Sequence, residues 1–118
     1  MVTHEERALD ALGDPTRRMV FKRLGAGARS VRQIADGMSV SRPAVSQHLR
    51  VLKAARLVTV RADGTRRLYA VDPRGMEALR TWLDAFWSKA LAAFKDAAER
   101  EAAKEARIMK TKENKEKP

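Results

Sequence analysis

The apolar period changes at Ala55, and that change constrains the fold more than any other feature of the chain. Before it, apolar residues recur three and four positions apart, the repeat of one helix face. After it come two β-rich runs, residues 57–61 (Leu-Val-Thr-Val-Arg) and 67–71 (Arg-Leu-Tyr-Ala-Val), around Ala62-Asp63-Gly64-Thr65. Asp-Gly between β-rich runs signals a hairpin. Asp72-Pro73 then caps and opens a long helical pattern. Its stripe is Met76, Leu79, Leu83, Phe86, Ala90 and Phe94, widened by Trp82, Trp87 and Leu91.

The first half reads as four short helices. Ala8, Leu9 and Leu12 lie at helical spacing before Gly13. Asp14 caps a second helix with Pro15 at its first position. Met19, Val20 and Leu24 form its stripe, with Phe21 beside it and Gly25 and Gly27 as the stop. Ser30 with Gln33 three residues on has the spacing of a capping box, and Val31, Ile34 and Ala35 are expected to face inward. After Gly37 and a tight turn, Ser41 caps the fourth helix, where Pro43 costs little because first-turn N–H groups have no intrahelical partner. Val45, Leu49 and Leu52 give this helix one buried face.

The order α-α-α-α-β-β-α is that of a winged helix-turn-helix, mainly α with a small β-hairpin. Residues 1–94 are expected to form one winged helix-turn-helix domain. Residues 95–118 read as a charged helical extension whose last ten or so positions look frayed or disordered.

Composition narrows the function. The 118 residues carry 25 Lys and Arg against 15 Asp and Glu, a formal charge of +10, which points to a polyanion, nucleic acid or an acidic membrane surface. The absence of cysteine excludes disulfides, thiolate metal sites and cysteine nucleophiles, and fits a reducing compartment. The N-terminus MVTHEERALDAL has no apolar core of a signal peptide. No apolar run approaches the roughly 18 residues of a spanning helix. A soluble, intracellular protein is the expectation.

The wording of three stretches carries a resemblance: ALGDPTRRMVFKRL, VRQIADGMSVSRPAVSQHLRVLKAARLV and RADGTRRLYAV. The patterns L-x-D-P-T-R, S-x-x-A-V-S-Q-H-L-x-x-L and R-x-x-G-x-x-x-x-Y stand in the order and spacing of the ArsR/SmtB family of bacterial transcriptional repressors, which residues 5–94 closely resemble. The resemblance implies a homodimeric DNA-binding repressor, with the first and last helices at the dimer interface. Leu9, Leu12, Met76, Leu79, Leu83, Phe86, Trp87 and Leu91 would be the interface residues.

Family members sense arsenic, zinc or other signals. The arsenic-type site needs paired cysteines over residues 31–37, and the zinc-type site needs Asp, His and Glu pairs on the last helix. Residues 31–37 hold no cysteine and residues 73–107 no histidine. No metal and no cofactor is therefore expected at those places: either another signal relieves the repressor or it acts as an unregulated autorepressor.

In a winged helix-turn-helix the recognition helix lies in the major groove and its N-terminal half meets the bases. Here that half is Ser41, Arg42, Pro43, Ala44, Ser46 and Gln47. With Val45, Leu49 and Leu52 buried, Arg42, Ser46, Gln47 and Arg50 face outward. Arg42 suits guanine O6/N7 and Gln47 adenine N6/N7. Backbone N–H groups at Arg42 and Ala44 are expected to bind a phosphate oxygen. From Gly37 to Ala62 there is no acid, while Arg42, Arg50, Lys53, Arg56 and Arg61 supply five cations. Arg66 and Arg67 sit beside Gly64 in the wing, placed for the DNA backbone or the minor groove. Two such helices would read an inverted repeat with half-sites about one turn, roughly 34–36 Å, apart.

Ser46 and His48 suggest a catalytic dyad, but residues two apart on a helix do not face each other, so no enzyme is expected. His48 reads as an edge-packing or backbone-bonding residue, with a DNA phosphate contact as the other role. His4 reads as a solvated terminal residue. The alternative reading of the whole chain is a winged-helix protein-interaction module or a nonspecific architectural DNA binder.

Overall fold

The computed structural model describes residues 2–116. The elements run α1 (His4–Gly13), α2 (Pro15–Lys22), α3 (Val31–Ala35), α4 (Arg42–Ala54), β1 (Val58–Asp63), β2 (Arg66–Val71) and α5 (Pro73–Glu116). This is the mainly helical, winged helix-turn-helix order that the period change predicts.

The caps set the helix starts. Asp14 accepts a hydrogen bond from the Arg17 N–H at 2.9 Å. Ser30 and Gln33 close a reciprocal capping box through Ser30 N–H to Gln33 Oε1 (2.9 Å) and Gln33 N–H to Ser30 Oγ (3.3 Å). A second box, Thr3 with Glu6, opens α1 and was not anticipated from the sequence.

Two expectations about α2 fail. The helix stops at Lys22, before the glycines, because Leu24, Gly25 and Gly27 donate to Phe21, Lys22 and Leu24 carbonyls in successive tight turns. Met19 is 48% exposed, leaving Val20 and Leu24 as the buried pair. Arg23 takes an unforeseen structural part: its Nη1 donates to the carbonyls of Ile34 and Asp36, tying the end of α3 to the end of α2.

The core sits under α4, whose Val45, Leu49 and Leu52 are fully buried together with Val20, Ile34 and Leu57. α4 packs against α1, α2, α3 and β1. At roughly 1.5–3 kcal/mol for each fully buried aliphatic side chain, this face fixes which side of α4 is left for solvent.

The hairpin ladder runs from Val58↔Val71 to Asp63↔Arg66. The connection is therefore the two-residue turn Gly64-Thr65, shorter than the four-residue segment the sequence marks. Gly64 has φ +63°, a region glycine enters without the Cβ penalty. Arg29 and Tyr69 exchange both backbone hydrogen bonds, 2.9 and 2.8 Å, so the chain before α3 adds a third edge to the wing.

The chain divides into two compact units, Met1–Trp82 and Leu83–Pro118, earlier than the 94/95 boundary read from charge. The first holds the core, the wing and Leu79 at 4% exposure. The described part of the second is helical to Glu116, where fraying was expected over the last ten or so residues. Its Ala, Glu, Lys and Arg are strong helix formers, and no Pro or Gly interrupts residues 76–116. There Phe86 and Trp87 meet edge-on, with ring centroids 6.0 Å apart.

Candidate nucleic-acid interface

α4 is positioned before any contact with a ligand. Ser41 caps it, accepting from the Ala44 N–H at 3.3 Å. That bond corrects the sequence reading at one point: the Ala44 N–H is already engaged and is not a free phosphate donor.

With one face committed to the core, the other carries Arg42, Gln47 and Arg50, all exposed, and Ser46, half-buried. Ser41, Pro43 and Lys53 are exposed as well, and Ala44 is half-buried. The burial pattern thus agrees with the outward set chosen from helical spacing. In the wing, Arg61, Arg66 and Arg67 are exposed. Arg66 is not unencumbered: its Nη2 lies 3.3 Å from Asp63 Oδ2 across the turn, in a solvated pair.

An open cleft of about 610 Å³ lies at the N-terminus of α4, lined in part by Arg32, Asp36, Gly37, Ser41 and Arg42. Arg32, on α3, had no role in the sequence reading. Its proximity to Arg42 depends on how α3 meets α4, which no spacing along the chain discloses. Two guanidinium groups beside a helix start suit an anionic oxygen.

The two histidines behave differently from a metal pair. His4 is not simply solvated: its Nε2 lies 3.3 Å from the Gly75 carbonyl oxygen, a half-buried contact between α1 and the start of α5. His48 lies near the cap of α2. The Asp14 carboxyl is held below the ordinary aspartate range, first by the Arg17 N–H it accepts and then by the charges of Arg17 and His48, against an opposing effect of burial. Among the described residues no three His, Asp or Glu side chains gather as a metal site would require. Likewise, among them no helix is long and apolar enough to cross a membrane.

Comparison with known proteins decides the family. The chain is 55% identical over 89 residues to the HTH-type transcriptional regulator Rv2034 of Mycobacterium tuberculosis, an alignment covering 75% of this chain and 83% of that one. The ArsR-like transcriptional regulator from Rhodococcus sp. RHA1 superposes with a TM-score of 0.67 at 30% identity, over 80% of this chain and 92% of that one. The chain belongs to the ArsR/SmtB family of winged helix-turn-helix transcriptional regulators.

Its family model, a helix-turn-helix domain, matches residues 12–61, the span from the end of α1 into β1. Another relative is the transcriptional repressor SdpR of Bacillus subtilis, 29% identical over 79 residues, 67% of this chain and 88% of that one. The homodimeric winged helix-turn-helix DNA-binding domain Mb0332 of Mycobacterium bovis superposes with a TM-score of 0.59 at 26% identity, over 73% of this chain and 80% of that one. DNA-binding transcriptional regulation is the function these relatives share.

Proposed function

We propose that this regulator is a dimeric repressor that reads an inverted-repeat operator through two copies of α4 and blocks transcription by occupying it. The observation that carries the reading is the division of α4 into a fully buried face, Val45, Leu49 and Leu52, and an outward face bearing Arg42, Gln47 and Arg50. Arg42 and Gln47 make bidentate contacts to base edges. Arg50, Lys53, Arg61, Arg66 and Arg67 hold phosphates and set register.

Dimerisation is supported by exposed apolar side chains on each unit. Leu9 in the first is 40% exposed, and Phe86, Trp87 and Leu91 in the second are 53%, 57% and 61% exposed. Leu12, Met76 and Leu83 are half-buried. Leu79 is consumed by the protomer's own core and leaves the interface set. The homodimeric relative supports the same assembly, and the relative named as a repressor supports the direction of control. With no cysteine on α3 and no histidine on α5, any inducing signal is other than arsenic or zinc at those places.

Selection of bound duplexes from a random pool tests this reading. Enrichment of an inverted repeat with half-sites about one helical turn apart supports it. Uniform binding to all duplexes, or none, would instead favour the architectural or protein-interaction module.

A further inference from the structure

The second unit carries a stripe of cations that the recognition helix does not explain. Arg100, Lys104, Arg107 and Lys115 succeed one another at four-, three- and eight-residue steps, so they share one face of α5. Ile108 and Thr111 lie between them, and these residues line a common shallow groove. All four cations are exposed, and among the described residues none is in an ion pair. The Lys95–Glu99 pair, at 4.0 Å, lies elsewhere on the helix. Thr111 turns its hydroxyl onto the Arg107 carbonyl at 2.9 Å.

Like charges recur along this part of the helix. Arg100 and Lys104, and Glu101 and Glu105, are like-charged pairs at four-residue spacing. Such pairs destabilise an isolated helix by a few tenths of a kcal/mol each. From Arg100 to Lys115 the stripe is about 22 Å long at 1.5 Å per residue, a length that faces about six phosphates of one DNA strand.

We propose that this stripe is a second, sequence-independent DNA site, which binds the phosphate backbone beside the operator while α4 reads the operator itself. The inference rests on the reading of the chain as a DNA-binding repressor. Charge complementarity selects a polyanion. Between the nucleic acid and an acidic lipid surface, the side chains favour the former. A membrane-lying helix needs a broad apolar face beside its cations, and this stripe has Ile108 as its single large apolar group. Met109, also exposed, falls on the far side of the helix by the 3.6-residue period. Because both sites are on one chain, the second engagement is intramolecular and favoured by effective concentration.

The test compares the full chain with a quadruple variant, Arg100→Gln, Lys104→Gln, Arg107→Gln and Lys115→Gln. Glutamine has nearly the helix propensity of the residues it replaces, and circular dichroism confirms that α5 is retained. Binding is measured against salt on a minimal operator duplex and on the same operator with long flanks. The expected result is an affinity advantage for the long duplex of roughly tenfold, and a salt slope steeper there by about three to four per chain. Both are lost in the variant, with minimal-duplex binding unchanged. An equal salt slope for the two proteins on the long duplex overturns the proposal. So does loss of binding confined to phosphatidylserine vesicles, which assigns the stripe to lipid. If wild type shows no operator preference, the repressor reading fails separately, and the slopes on random duplex still decide the stripe.

Discussion

Gly75 presses its Cα against the carbonyl of Arg56, so closely that a Cβ on residue 75 would lie 1.5 Å from the Arg56 oxygen and 2.7 Å from its carbon. Arg56 itself stands at φ 60°, a left-handed conformation that costs a non-glycine residue roughly 1–2 kcal/mol. The contact seats the first turn of α5 on the turn between α4 and β1. Gly75→Ala would ordinarily favour a helix by about 1 kcal/mol. Here it must displace backbone, and we expect a net loss of about 2–3 kcal/mol in denaturant unfolding. A variant as stable as wild type would refute the close approach.

Ser30 is buried, at 7% exposure, and its box with Gln33 starts α3. Ser30→Ala removes the acceptor for the Gln33 N–H and is expected to cost about 1–2 kcal/mol. Urea unfolding followed by far-ultraviolet dichroism measures it. Gln33→Ala should cost less, because it leaves the serine cap in place.

Asp14 gives the fold an acid-side dependence of known sign. Its carboxyl has a lower pKa when folded than when unfolded, chiefly through the Arg17 N–H. The ionised form therefore stabilises the fold above the unfolded pKa, and that contribution is lost as pH falls through the folded value. Asp14→Asn keeps a capping side chain but cannot titrate. Thermal melts should place the wild type above the variant at neutral pH, the two converging in acid as Asp14 takes up its proton.

On DNA, the α4 face and the wing should separate by specificity. Gln47→Ala and Arg42→Ala are each expected to cost about 1–3 kcal/mol and to relax preference at particular base pairs. Arg67→Ala should weaken all duplexes alike and lower the salt slope by about one. Asp63→Ala releases Arg66 from its pair and should tighten binding without changing preference. Anisotropy on operator and scrambled duplexes reads all four. Unchanged base preference in both α4 variants would mean the wrong face has been assigned to DNA.

Phe86 and Leu91 are mostly exposed on the second unit, where a dimer partner would cover them. Phe86→Glu with Leu91→Glu is expected to raise the dimer dissociation constant by roughly thirtyfold or more, equivalent to about 2 kcal/mol. Sedimentation equilibrium measures the shift. A dimer of undiminished strength would place the interface elsewhere.

The sequence by itself determined the order of elements, the buried stripe of α4 and its outward residues, because these follow from local periods, caps and turn chemistry. Asp14-Pro15, Ser30 with Gln33, and Asp63-Gly64 are such signals, each readable within a few residues. The family wording of residues 11–71 made the functional class legible by the same route. Tertiary structure decided what depends on approach between distant segments. Arg32 gains its place beside Arg42 from the packing of α3 on α4. His4 meets Gly75, and Arg29 pairs with Tyr69, across long stretches of chain. Leu79 and Leu91 carry the same apolar side chain on one helical pattern, yet one is buried in the protomer and the other is open. A helical period says which residues share a face, but what covers that face is settled by the segments that fold against it.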